Sequence, residues 1–84
     1  MSAFRVEIRI MPRATLLDPQ GQAVHHALHA LGFREVGGVR MGKHVVVEVQ
    51  AGSPEQAAEQ VRTMCDRLLA NPVTEDYHLA VEAA

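Results

Sequence analysis

Cys65 is the only cysteine in this 84-residue chain, and a thiolate is a strong side-chain nucleophile. To serve as one it needs a lowered pKa, from a helix N-terminus or a nearby cation, and some exposure. Cys65 instead shares an apolar helical face with Val61 and Leu68, which assigns it to the core as an inert thiol. His25 and His29 stand four residues apart, a spacing that can place two imidazoles on one metal ion. No third ligand is suggested nearby, no Glu follows His25 as HExxH requires, and His26 faces away from the pair. The expectation is a solvated or interfacial helix flank. Gly42-Lys43 is not a phosphate loop, because the GxxxxGK[ST] frame fails where His44 follows Lys43. No Ser/His/Asp constellation and no paired carboxylates stand out. The sequence therefore predicts no catalytic residue, and no cofactor or metal bound by this chain.

The elements that must position these residues are legible from periodicity. Phe4, Val6, Ile8 and Ile10 alternate with Arg5, Glu7 and Arg9, which predicts a strand with one buried and one wet face. Pro12 ends it, since proline cannot donate to a sheet ladder. Asp18-Pro19 reads as a cap and first turn. Val24, Ala27, Leu28 and Leu31 then form one apolar stripe, and Gly32 suits the position just past the end. Helix one is thus expected from about Pro19 to Leu31. Residues 34–50 read as a hairpin turning at Gly42-Lys43, with Met41 opposite His44 and Val39 opposite Val46. Ser53 and Gln56 form a capping box for a second helix, with Ala57, Val61, Met64, Cys65 and Leu68 on one side. Asn71-Pro72 stops it, and Tyr77, Leu79 and Val81 alternate through a last strand. The order β-α-β-β-α-β predicts a single α+β domain over residues 1–84: a ferredoxin-like, four-stranded antiparallel sheet with two helices on one face.

That architecture leaves one sheet face open. The expected register puts Val39, Met41 and Val46 on it near the hairpin tip, with Arg5, Glu7, Arg9 and Glu48 elsewhere. An apolar patch rimmed by charge suggests a protein contact, here a candidate dimer interface. Size points the same way. A domain this small buries about 60–65% of the surface its unfolded chain exposes, and thin cores gain from association. Eight Lys and Arg are balanced against ten Asp and Glu, for a net charge of -2. No basic tract exists to neutralise phosphates, so nucleic acid is not an expected partner. A lone cysteine forms no internal disulfide, and no signal peptide or membrane-spanning run is seen. The expectation is a soluble, cytoplasmic protein.

Three segments carry a more specific signal: Leu17-Asp18-Pro19-Gln20-Gly21; Val39-Arg40-Met41-Gly42-Lys43; and Leu68-Leu69-Ala70-Asn71-Pro72-Val73 with Glu75-Asp76-Tyr77. In their order, their spacing and their place in a chain of this length they resemble the PurS family, the small accessory subunits of phosphoribosylformylglycinamidine synthase. The resemblance implies a non-catalytic dimer that joins two partners and assists ammonia transfer between them. A PurQ-type glutaminase releases ammonia from glutamine. A PurL-type synthetase uses ATP and magnesium to convert formylglycinamide ribonucleotide to formylglycinamidine ribonucleotide. Within the motifs, Asp18, Gln20, Arg40, Lys43 and Asn71 are the candidate partner interface, against a purely structural reading of Asp18 as a helix cap, Asn71 as a helix stop, and Arg40 and Lys43 as a solvated hairpin tip. The alternative is a small-molecule-binding regulatory module, which rests on fold analogy alone.

Overall fold

In the computed structural model, which describes residues 1–84, the chain runs β1 (Ser2–Pro12), α1 (Pro19–Ala30), β2 (Lys43–Ala51), α2 (Pro54–Met64), a π-helical turn (Cys65–Leu69) and β3 (Glu75–Ala83). The sheet has three strands, not four, in the order β2-β1-β3, and both pairings are antiparallel. β1 is central. Val6 lies opposite Val47 on one side and Val81 on the other, and Ile8 opposite Val45 and Leu79.

The expected hairpin is the element that fails. Residues 34–42 form no strand, so the Val39–Val46 and Met41–His44 pairs do not exist. Val46 lies opposite Glu7 and His44 opposite Arg9. Two forces work against the first arm. Gly37-Gly38 is entropically costly in a strand and has no side chain to pack. The segment's polar groups also find better partners at the start of α1, where the Met41 N–H donates to the Asp18 carboxylate at 2.8 Å.

The core is one helix on three strands. Phe4, Val6, Ile8 and Ile10 of β1 meet Ala51, Ala57, Val61, Cys65 and Ala70, with Val45, Val47, Val49, Leu79 and Val81 packed around them. The alternation foreseen in β1 and β3 is realised. α1, expected beside α2, contributes nothing to this core, and Gly21 is its only buried residue. The radius of gyration is accordingly 16.4 Å, where a compact chain of this length would have about 12 Å.

Both helices begin and end for the reasons their sequences suggest. Asp18 caps α1, its side chain accepting from the Gly21 N–H at 3.0 Å. At the other end the Phe33 N–H donates to the Leu28 carbonyl and the Gly32 N–H to the His29 carbonyl. This is a Schellman closure, with Gly32 at φ 103° in the region that favours glycine. The Ser53 side chain caps α2 by accepting from the Gln56 N–H. Gln56 returns a bond to the Gly52 N–H rather than to Ser53 itself, one residue outside the expected capping box. After Met64 the helix widens, and the Ala70 N–H donates to the Cys65 carbonyl five residues back. The extra residue per turn rotates the chain's phase. Leu69 then packs against the core and Leu68 points to solvent, the reverse of the periodic expectation for Leu68.

Candidate functional site

The end of the sheet where β1 finishes and β2 and β3 begin gathers all three sequence motifs. Asp18 sits at its centre. One carboxylate oxygen accepts from the Gly21 N–H at 3.0 Å and the other from the Met41 N–H at 2.8 Å. These two bonds, Met41's first, lower the Asp18 pKa below its ordinary value, with Arg40 adding a smaller push in the same direction and desolvation opposing them. The carboxylate thus ties the first motif to the second. Gly21 permits the approach, because a Cβ there would lie 2.3 Å from the Val39 carbonyl oxygen. Gly42 does the same at the edge of β1, where a Cβ would meet the Ile10 carbonyl oxygen at 2.5 Å.

Arg40 reaches back across the sheet end and donates to the Pro12 carbonyl. Lys43 links the second motif to the third: its Nζ donates to the Leu69 carbonyl at 3.2 Å and lies 3.8 Å from a Glu75 carboxylate oxygen. That same oxygen accepts from the Asn71 N–H at 2.8 Å. Asn71 also accepts from the Val73 N–H at 2.9 Å, a local turn that fixes the chain before β3. Of the five candidate interface residues, Asp18 and Arg40 tether the second motif to the first and to the end of β1, and Lys43 and Asn71 meet on Glu75. Gln20 is exposed on the first turn of α1.

Two participants were not foreseen. Glu75 bridges Lys43 and Asn71; its place in the third motif and its four-residue spacing from Asn71 were the available signals. Arg13 donates to the Pro72 carbonyl at 2.8 Å and pairs with Asp76 at 3.5 Å; its position after Pro12 gave no local hint, because its partners lie about sixty residues on.

The other candidates separate. Val46 is exposed on the open sheet face, while Val39 and Met41 lie partly buried before β2. The apolar trio is not a patch. The open face carries instead a charged ladder, with Arg5 on Glu82 at 3.1 Å and on Glu7 at 3.6 Å. Cys65 is fully buried, and desolvation first and the nearby Asp66 carboxylate second raise its pKa. Such a thiol is unsuited to attack. Tyr77 donates to Asp66 at 3.1 Å, and burial together with that bond raises its pKa. No group of three or more His, Cys, Asp and Glu side chains converges as a metal site would. No helix is long and apolar enough to cross a membrane. The motif end thus offers hydrogen-bonded backbone loops with charged and amide groups at their surface.

The chain is similar to known proteins in sequence and in fold. Residues 5–83 match the family model PurS, described as phosphoribosylformylglycinamidine (FGAM) synthase. The chain is 40% identical over 79 residues to the PurS subunit of that synthase from Bacillus subtilis, covering 94% of this chain and 93% of the relative. It is 34% identical to the PurS subunit from Methanocaldococcus jannaschii, covering 94% and 95%. Among solved structures, the B. subtilis PurS crystal form superposes with a TM-score of 0.85, at 40% identity and covering 94% of this chain and 98% of that one. A chain in the structure of PurLQS from Thermotoga maritima superposes with a TM-score of 0.88, at 33% identity, covering 98% of this chain and all of that one.

Proposed function

Because the chain belongs to the PurS family of phosphoribosylformylglycinamidine synthase subunits in purine biosynthesis, we propose that it is the accessory component that bridges a PurQ-type glutaminase and a PurL-type synthetase and assists the passage of ammonia between them. The ligation itself, with its ATP and magnesium, is assigned to the large subunit. The observation that carries this reading is the gathering of all three motifs, tied by hydrogen bonds, at one end of the sheet, on a chain with a buried, deactivated thiol. Fixed loops present a constant surface at low entropic cost, which is what a docking element needs.

The same reading includes a homodimer. α1 projects from the sheet, and an isolated helix of 12 residues is marginal in water. Leu17, Leu31 and Phe33 are 76%, 74% and 58% exposed around it. A second copy that covers this helix would supply the packing the single chain lacks.

The test of bridging is glutamine-dependent formylglycinamidine ribonucleotide formation by the partner subunits, titrated with this chain. Wild type should restore activity. Gln20→Ala should require a higher concentration for the same activity while unfolding at the wild-type temperature. Arg40→Ala should also raise that concentration, with some loss of stability from the vacated Pro12 carbonyl. Activity independent of the added chain would sink the bridging role.

A further inference from the structure

The sequence offered His25 and His29 without a third ligand, and the fold supplies one from the main chain. The two Nε2 atoms lie 3.1 Å apart. The Val36 carbonyl oxygen lies 3.0 Å from His25 Nε2 and 2.8 Å from His29 Nε2. Three donor atoms therefore form a nearly equilateral triangle that spans a helix flank and the segment after the Schellman turn.

Protons alone fill at most two edges of this triangle. The carbonyl is an acceptor only, and each neutral imidazole carries one N–H on one of its two nitrogens. If both Nε2 atoms are protonated, both N–H groups can donate to the two lone pairs of the carbonyl, but their hydrogens are then crowded together across the 3.1 Å edge. If one is, the other Nε2 lone pair faces the carbonyl lone pair across a contact of 3.0 Å or less. No neutral assignment places a hydrogen on every edge.

We propose that His25, His29 and the Val36 carbonyl bind one divalent first-row transition ion of the nickel or cobalt kind, with water in the remaining positions. The dimensions select the coordination. Six ligands at about 2.1 Å put neighbouring donor atoms about 3.0 Å apart, whereas a tetrahedral ion with the same bond length needs about 3.4 Å. The observed edges match one face of the octahedron. Imidazole nitrogen suits nickel and its neighbours, and the single carbonyl oxygen is compatible with a borderline ion. The pair lies on the flank of α1, beside the Val24–Ala27–Leu28–Leu31 stripe rather than on it. A bound ion ties α1 to residue 36 and so steadies the chain leading into Val39–Lys43.

Titration of the full chain with nickel(II) alone, followed by calorimetry, tests the site. One ion per chain should bind in the micromolar range. His25→Ala and His29→Ala should each weaken binding by at least about tenfold, with unchanged circular dichroism, while His26→Ala and His44→Ala leave it as in wild type. Nickel should also raise the unfolding temperature of wild type and not of His29→Ala. Cobalt(II) should give the weak visible absorption of a six-coordinate ion. Absence of binding below millimolar nickel, or affinity untouched by both His25→Ala and His29→Ala, would overturn the proposal.

Discussion

Gly21→Ala sets local propensity against tertiary packing, and the two predict opposite signs. In an ordinary helix interior alanine is favoured over glycine by about 1 kcal/mol. Gly21 is not in an ordinary place. It is the one buried residue of α1, and a methyl there would stand 2.3 Å from the Val39 carbonyl oxygen and 2.4 Å from an Asp18 carboxylate oxygen. Relief requires a shift of roughly 1 Å to reach ordinary van der Waals contact. The obstructing atom is backbone, in a segment pinned by the Met41 N–H on Asp18 and by Arg40 on Pro12. It does not yield as a flexible side chain would. Overpacking of this kind costs about 1–3 kcal/mol, and the pinning places this case in the upper part of that range. The net expectation is a loss of about 1–2 kcal/mol, or a fall in Tm of roughly 4–16 °C for a domain this size. Thermal unfolding followed by circular dichroism, at one fixed chain concentration because association shifts Tm, is the assay. Gly37→Ala is the internal comparison: a Cβ there meets nothing within 4 Å, so the expected change is neutral or a gain of about 0.4–1 kcal/mol. A Gly21→Ala protein that melts higher than wild type would refute the claim that α1 and residues 39–42 are locked together.

Cys65 should resist iodoacetamide in the native protein and react once unfolded, because burial and Asp66 hold its thiol protonated; rapid native labelling would contradict the inert assignment. The Asp18 carboxylate has a folded pKa lowered from an ordinary 3.8, so its stabilisation is present above that value and is lost as pH falls through the lower folded pKa. Acid unfolding of Asp18→Asn should therefore show a shallower dependence on pH below about 4 than wild type, and identical slopes would show that the network does not depend on the charge. Leu31→Glu alters a side chain that is 74% exposed, so the single chain should lose no more than about 0.5 kcal/mol, while sedimentation should shift toward the monomer if α1 meets a second copy. An unchanged sedimentation coefficient would place the self-contact elsewhere.

What the sequence determined by itself was local. The period-2 alternation of Phe4 to Ile10 and of Tyr77 to Val81 specified which faces of β1 and β3 are buried, because side chains on a strand must alternate. Asp18, Gly32 and Ser53 marked helix ends, because unpaired backbone groups there need particular partners or a positive φ. The three motifs identified the family. What only the tertiary structure decided was competition between distant groups. Residues 34–42 contain enough valine to suggest a strand, yet they pair with nothing, since Asp18 and the close approaches at Gly21 and Gly42 hold them against α1 and β1 instead. The periodic face of α2 was read correctly to Cys65 and wrongly at Leu68, because one five-residue hydrogen bond rotates all that follows it. The amphipathic stripe of α1 announced burial without naming the surface that covers it, and in the single chain the sheet does not. Neither Glu75 on Lys43 nor Arg13 on Pro72 could be read in advance, because hydrogen bonds and ion pairs between residues far apart in sequence leave no periodicity behind. The third donor beside His25 and His29 is a backbone carbonyl. Every residue of the chain carries the same group, so only the fold could single out Val36.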